Sequence, residues 1–156
     1  MSGPYVLALD EGSTSARALL VDPDGQIVAD ARNPIVPDFP RPGWVELDPP
    51  MLWHALRDSI AEVLAKAAIT TDDLAAIGVT THRETALVWD RATGQAIHPA
   101  LMWMSKQTDS IVARWHDEGL DDLIRERTGL RNDSYFSAGK LAWLMENVPG
   151  ARERAE

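Results

Sequence analysis

The chain has 156 residues, of which 45% are hydrophobic and 25% are charged, and its formal net charge is −9. This composition is typical of a globular domain and not of a disordered segment. The acidic balance and the scattered basic residues disfavour nucleic acid as a partner. The absence of cysteine excludes disulfides and thiolate metal sites. Without a long apolar run or a secretory signal pattern, we expect a cytoplasmic protein that does not bind membranes.

Three strands are predicted near the N-terminus. The continuous apolar run Tyr5–Leu9 predicts a strand buried on both faces, and Ala16–Val21 predicts a second strand. The turn residues Asp22–Gly25 are followed by an alternating segment, Gln26–Arg32, which predicts a third. The short connections favour an antiparallel meander. Four prolines then make residues 34–46 an extended connection.

The remainder of the chain alternates between helices and strands. A helix is predicted to begin at Asp48-Pro49-Pro50, since proline is tolerated in the first turn of a helix. Buried strands are predicted at residues 75–80 and 85–90, and helices at residues 106–118, 120–128 and 138–146. Strands, a crossover helix and a further strand indicate an α/β fold with a mixed sheet flanked by helices.

The turn between the first two predicted strands is unusually rich in polar groups: Asp10, Ser13, Thr14, Ser15 and Arg17. Free backbone N–H groups, hydroxyls and a permanent cation are the groups that surround phosphoryl oxygens. A carboxylate at the end of a strand suits Mg²⁺. The sequence is neither a Walker A loop nor a dinucleotide fingerprint. A polar hairpin without a ligand remains the alternative interpretation.

A second polar group follows the predicted strand at residues 75–80. Arg83 and Glu84 place two opposite charges at the end of a strand, where α/β sheets bind their ligands. An adjacent donor and acceptor suit the hydroxyls of a polyol. The alternative is that the two side chains pair with each other or with nearby loops.

Five stretches together resemble the N-terminal part of the FGGY family of carbohydrate kinases, in particular its glycerol-phosphorylating members. In chain order they are LDEGSTSARA, PGWVELDP, IGVTTHRETALVWDRATG, ALMWMSKQT and TGLRNDSYFSAGKLAWL. The resemblance implies a ribonuclease H-like (actin-like ATPase) fold and an ATP-dependent, Mg²⁺-assisted transfer of phosphate to a polyol such as glycerol.

The resemblance also implies roles for individual residues. Ser13, Thr14, Ser15 and Arg17 would hold the phosphates of ATP, and Asp10 would lie near the metal. Arg83, Glu84 and Tyr135 would hold the polyol hydroxyls, and Trp103 would lie against its carbons. The catalytic base and the adenine pocket would lie outside residues 1–156, so the chain would be an N-terminal part of the first kinase domain that is inactive alone.

Several positions depart from the family pattern, namely Glu11, Ser13, His82 and the segment Met104–Gln107. Glu11 adds a negative charge beside the expected phosphate site, and Met104–Gln107 flanks the expected polyol wall. These departures leave open a kinase of erythritol or threitol, or a non-catalytic module that binds polyol or nucleotide. An actin-like assembly subunit is disfavoured, since a filament needs no polyol site. The sequence leaves the oligomeric state open, and a homo-oligomer is compatible with it.

Overall fold

The computed structural model describes residues 4–155, which form two compact units. The first unit comprises the chain up to Pro37 together with Pro49–His82. The second comprises Asp38–Asp48 and the chain from Arg83 onward. Within residues 4–155, no helix combines the length and the apolarity required to cross a bilayer.

The first unit is built on a four-stranded sheet. Its strands are β1 (Tyr5–Glu11), β2 (Ser15–Val21), β3 (Ile27–Pro34) and β5 (Leu74–Thr81), in the order β3-β2-β1-β5. β1 pairs antiparallel with β2, and β2 pairs antiparallel with β3, so the predicted meander is confirmed. β5 lies parallel to β1. The sheet is therefore mixed, as predicted.

One helix covers one face of this sheet. α1 (Pro49–Ala67) begins at the predicted prolines and packs against β2 and β3. The hydroxyl of its buried Ser59 lies within donating distance of the main-chain oxygens of Ala55 (2.9 Å) and Ala16 (3.2 Å) and accepts from the side-chain amide of Asn33 (3.0 Å). These bonds fix the helix on the sheet and satisfy the buried hydroxyl. A 3₁₀ turn, Thr71–Asp73, then leads into β5.

Two predictions of burial are wrong. In β1, buried and more exposed residues alternate, so only one face of the strand is covered. β5 forms at the predicted position but is exposed along almost its whole length, with Ile77 59% and Val79 67% exposed. The reason is topological: β5 is an edge strand, and α1 packs on β2 and β3 instead.

The described part of the second unit contains four helices and a pair of short strands. The short strands β4 (Glu46–Leu47) and β6 (Ala100–Leu101) pair antiparallel. The helices are α2 (Asp109–Asp117), α3 (Asp121–Thr128), α4 (Ser137–Asn147) and α5 (Ala151–Ala155). The first three helices confirm the predictions with shifted boundaries, whereas α5 was not predicted.

The predicted strand at residues 85–90 does not form. Its segment makes only two isolated bridges, Ala86 with Leu101 and Trp89 with Ala96. A buried polar chain joins β4 and the residue before it to the segment after Trp103. Ser105 Oγ accepts from Val45 N–H (3.0 Å) and donates to Gln107 Oε1 (2.9 Å), and Gln107 Nε2 donates to Glu46 Oε1 (3.3 Å). Ser105 and Gln107 are thus structural residues of this unit.

Candidate functional site

The hydroxyl-rich turn of the first unit connects β1 to β2. The Gly12 N–H donates to the Ser15 carbonyl (2.9 Å), and the Thr14 carbonyl accepts from Ile35 N–H (2.9 Å). A Cβ at position 12 would lie 3.1 Å from the Ser15 carbonyl oxygen, so glycine allows this tight closure. Thr14 is exposed and Ser13 is half-buried. The turn therefore presents the hydroxyl of Thr14 to solvent on a backbone that is held from both sides.

The register of the meander aligns charged residues on the sheet face opposite α1. Asp10 of β1 is the direct partner of Arg17 of β2, which is the direct partner of Arg32 of β3. Directly opposed residues project from the same face of a sheet. Among residues 4–155, the Arg17 guanidinium forms one long, exposed contact, with Asp30 (3.4 Å), and such contacts are weak. Its guanidinium can thus exchange this partner for an anionic ligand.

Ser15 and Arg32 form a fixed pair on the same face. Ser15 is buried, and its Oγ accepts a 2.7 Å hydrogen bond from Arg32 Nε. The Ser15 hydroxyl is thus committed as an acceptor to a neighbour, which distinguishes it from Thr14. Arg32 was not recognised from the sequence. Its place beside Arg17 follows from the register of β3 against β2.

Asp10 is the residue predicted to lie near a metal. It is exposed at the end of β1, and the described residues contain no cluster of three or more potential metal ligands. Mg²⁺ is commonly held by one or two carboxylates together with substrate phosphates and water. A single exposed carboxylate beside a turn that is predicted to hold phosphates fits that donor set, whereas a metal site built only from protein ligands does not fit the described residues.

Glu11, next to Asp10, has a carboxyl pKa that is raised by burial. Its proton is therefore bound more tightly in the folded than in the unfolded state. It follows that stability falls as the pH rises through this raised pKa. The charge of Glu11 also lies next to the turn that is predicted to hold phosphates.

We expect Glu11→Gln to increase the free energy of unfolding at pH 7 but not below about pH 4, where the carboxyl is protonated in both states. Thermal unfolding at the two pH values measures the difference. Glu126→Gln, on the exposed surface of α3, is the matched control. Equal stability of wild type and Glu11→Gln at pH 7 would contradict this account.

The residues that are predicted to bind a polyol lie in the second unit: Arg83, Glu84, Trp103 and Tyr135. Glu84 has a positive φ of 67°, a conformation that is uncommon outside glycine and is found at functional sites. Its Oε2 accepts from the backbone N–H (2.8 Å) and the hydroxyl (2.6 Å) of Ser137, the first residue of α4. Ser137 was not recognised from sequence. The carboxylate is thus held at one oxygen by the start of a helix, a favourable position for negative charge.

An aromatic pair lies in the same unit. The rings of Trp103 and Tyr135 are 5.9 Å apart in an edge-on arrangement, and Tyr135 also meets Phe136 at 5.1 Å. The Trp103 N–H donates to Thr85 Oγ1 (3.2 Å), which links the backbone of Trp103 to the residue after Glu84. The structure therefore brings Glu84, Trp103 and Tyr135 into one connected group.

Arg83 precedes Glu84 and is exposed. Among residues 4–155, its guanidinium forms no hydrogen bond or ion pair, so the alternative of an internal Arg83–Glu84 pair is not what the structure adopts. An unpaired guanidinium next to a held carboxylate offers a donor and an acceptor to a ligand that carries adjacent hydroxyls.

The chain matches the model of the FGGY family of carbohydrate kinases, N-terminal domain, over residues 5–156. The glycerol kinase of Methylibium petroleiphilum is 47% identical over 152 residues, which are 97% of this chain and 30% of that relative. Glycerol kinase 2 of Pseudomonas aeruginosa is 47% identical over 151 residues, with the same shares. The chain thus spans about 30% of the length of these curated relatives.

Solved structures of carbohydrate kinases have the same fold as this chain. The glycerol kinase of Plasmodium falciparum with ADP has a TM-score of 0.88 at 26% identity, over 97% of this chain and 30% of that one. A xylulose kinase from Rhodospirillum rubrum has a TM-score of 0.86 at 27% identity, over 97% and 31%. The predicted ribonuclease H-like, actin-like ATPase fold is confirmed. The chain belongs to the FGGY family of carbohydrate kinases.

Proposed function

We propose that this chain is the N-terminal part of an ATP-dependent glycerol kinase. The reaction joins a terminal hydroxyl oxygen of glycerol to the γ-phosphorus of ATP, breaks the bond to ADP, and transfers the hydroxyl proton to a base. The observation that carries the proposal is the unpaired Arg83 guanidinium next to the Glu84 carboxylate, which Ser137 holds at one oxygen only. The names of the relatives, glycerol kinases at 47% identity, support the same reaction.

In this proposal the second unit binds the polyol. Arg83 donates hydrogen bonds to glycerol oxygens, and the remaining oxygen of Glu84 accepts from a hydroxyl. Charge-assisted bonds of this kind are the stronger class. The Trp103–Tyr135 pair offers apolar surface for the carbon chain, and the Tyr135 hydroxyl adds one further polar contact. Four groups of different chemistry thus match the alternating carbons and hydroxyls of a small polyol.

The first unit binds the phosphates of ATP in the same proposal. The Ser13 and Thr14 hydroxyls and the Arg17 guanidinium contact phosphoryl oxygens, while Arg32 holds Ser15 in place and adds positive charge to the same face. Asp10 holds Mg²⁺, which neutralises phosphate charge when it is bound. The base and the adenine pocket belong to parts of the kinase outside residues 1–156.

A kinase of a four-carbon polyol is the second candidate. One observation favours it: Lys106, in the segment that departs from the family pattern, donates to Ser134 Oγ (3.3 Å), the residue before Tyr135. The contact places the ammonium group of Lys106 at the residue before Tyr135, and in this candidate it supplies a further hydrogen-bond donor for the hydroxyl of a fourth carbon. By contrast, Ser105 and Gln107 of the same segment are buried in the polar chain with Val45 and Glu46, which argues that only part of the segment affects the choice of substrate.

A panel of glycerol, dihydroxyacetone, erythritol and threitol, assayed with the full-length kinase, tests the proposal. We expect glycerol to have the highest kcat/KM, by roughly tenfold over the four-carbon polyols, because one additional carbon is worth about that factor in a fitted site. A preference for erythritol or threitol would replace the substrate. If none of the four compounds supported ATP turnover, the alternative of a non-catalytic module would be favoured.

A further inference from the structure

Lys140 of α4 is a fully buried lysine that the proposed mechanism does not use. Its side chain is 0% exposed, and an ammonium group is costly to bury unless polar partners surround it. The partners are three successive backbone carbonyls, those of Ser134 (2.7 Å), Tyr135 (2.6 Å) and Phe136 (3.4 Å). An ammonium group has three N–H donors, so each of them has an acceptor.

The three carbonyls belong to the segment that precedes α4 and carries Tyr135. Carbonyls of consecutive residues that converge on one donor restrict the backbone dihedrals between them. Lys140 thereby fixes the main chain on both sides of Tyr135, whose ring meets Trp103 at 5.9 Å. A methionine or leucine would fill the same space at lower desolvation cost, so packing alone does not account for a lysine at this position.

The same helix also holds Glu84. Ser137, which binds Glu84 Oε2, lies three residues before Lys140, so the two residues lie about one turn apart on α4. The negative charge of Glu84 attracts the ammonium and raises the pKa of Lys140. One helical turn therefore supports both Glu84 and Tyr135.

We propose that Lys140 is a positioning residue of the polyol site: its ammonium holds the backbone of residues 134–136, and so sets Tyr135 beside Trp103, while it balances the charge of Glu84. The proposal rests on the proposed function. Lys140 is not a catalytic residue, since complete burial keeps it from touching a substrate.

The protonation of Lys140 gives this role a distinctive pH dependence. Burial lowers the pKa of Lys140 to about 8, whereas Glu84 and Asp133 raise it and Lys106 lowers it further. A neutral amine has two N–H donors instead of three, so one carbonyl loses its partner when the proton leaves. The KM for glycerol should therefore rise in the wild type above a pH of about 8.

The test compares Lys140→Met in the full-length kinase with the wild type and with a control, Lys66→Met, at a half-exposed lysine of α1 outside the proposed polyol site. We expect Lys140→Met to raise the KM for glycerol by roughly tenfold or more, since it removes hydrogen bonds to a charged donor. The KM for ATP should not change, and the KM for glycerol should no longer depend on pH above 8. A loss of thermal stability with an unchanged KM for glycerol would overturn the proposal.

A second measurement applies if Lys140→Met does not fold. In the wild type, the amide resonances of residues 134–136 and the KM for glycerol should change together as the pH passes about 8; independent changes would overturn the proposal. A wild-type kinase that does not use glycerol would refute the proposed function instead. The amide resonances of residues 134–136 would then still decide whether Lys140 orders this segment.

Discussion

Replacing Arg83 with alanine in the full-length kinase is expected to raise the KM for glycerol by roughly 10- to 100-fold, because a hydrogen bond to a charged group is worth about 1.5–3 kcal/mol. The KM for ATP should remain close to that of the wild type. The structure supports a clean result, since the Arg83 side chain is exposed and has no partner among residues 4–155 whose loss would disturb the fold. Steady-state kinetics with each substrate varied in turn measure both constants.

The reciprocal variant, Thr14→Ala with Arg17→Ala, should raise the KM for ATP and leave that for glycerol unchanged. It removes an exposed hydroxyl and a cation whose present contact with Asp30 is long and weak. Arg91→Ala, an exposed arginine of the second unit, serves as the control for the loss of one positive charge. Together, the Arg83 variant and the Thr14/Arg17 variant separate the two sets of residues. If either variant altered both KM values equally, the assignment of separate phosphate and polyol residues would fail.

Local sequence patterns predicted the meander and three of the later helices because those elements depend on neighbouring residues. The turn at Asp22–Gly25 and the prolines at the start of α1 act over a few positions, and both gave the expected result. Burial depends instead on which element packs on which face. The apolar run in β5 therefore predicts a buried strand, whereas α1 packs on β2 and β3 and leaves β5 exposed.

Residues 85–90 illustrate a different limit. The run has the composition of a strand, but a strand also needs a continuous partner, and the described part of the chain offers it only isolated bridges at Ala86 and Trp89. Composition does not reveal the absence of a partner, so the prediction was wrong.

The supporting residues of the candidate site were the least accessible to sequence reasoning. Arg32 and Lys140 look like ordinary surface charges in an alternating strand and a helix. The role of Arg32 depends on the register of β3 against β2. The role of Lys140 depends on the hydrogen bonds between its side chain in α4 and the segment that precedes this helix. By contrast, Arg83 and Glu84 were singled out by their position after a predicted strand, and Trp103 and Tyr135 by the resemblance. The roles of all four as polyol ligands stay predictions.

Residues 1–156 expressed alone are expected to show no glycerol-dependent ATP turnover. Phosphoryl transfer needs nucleotide, metal, acceptor hydroxyl and base aligned together, and alignment alone accounts for several orders of magnitude in rate. In our proposal the base and the adenine pocket lie outside this segment. Assay of the purified chain beside the full-length kinase, at equal concentrations, measures the difference; turnover by the chain alone would place the base within these 156 residues.

The same chain is expected to self-associate through β5. This strand lies at the edge of the sheet and exposes Ile77 and Val79, and an exposed apolar edge is a template for pairing with another strand. Lysine on an edge strand opposes such pairing, so Val79→Lys should shift the chain toward the monomer. Thr71→Lys, an exposed position outside the strand, controls for the added charge. Size-exclusion chromatography with light scattering gives the mass of each form. A wild-type chain that remains monomeric would contradict this prediction, as would Val79→Lys and Thr71→Lys variants that associate equally.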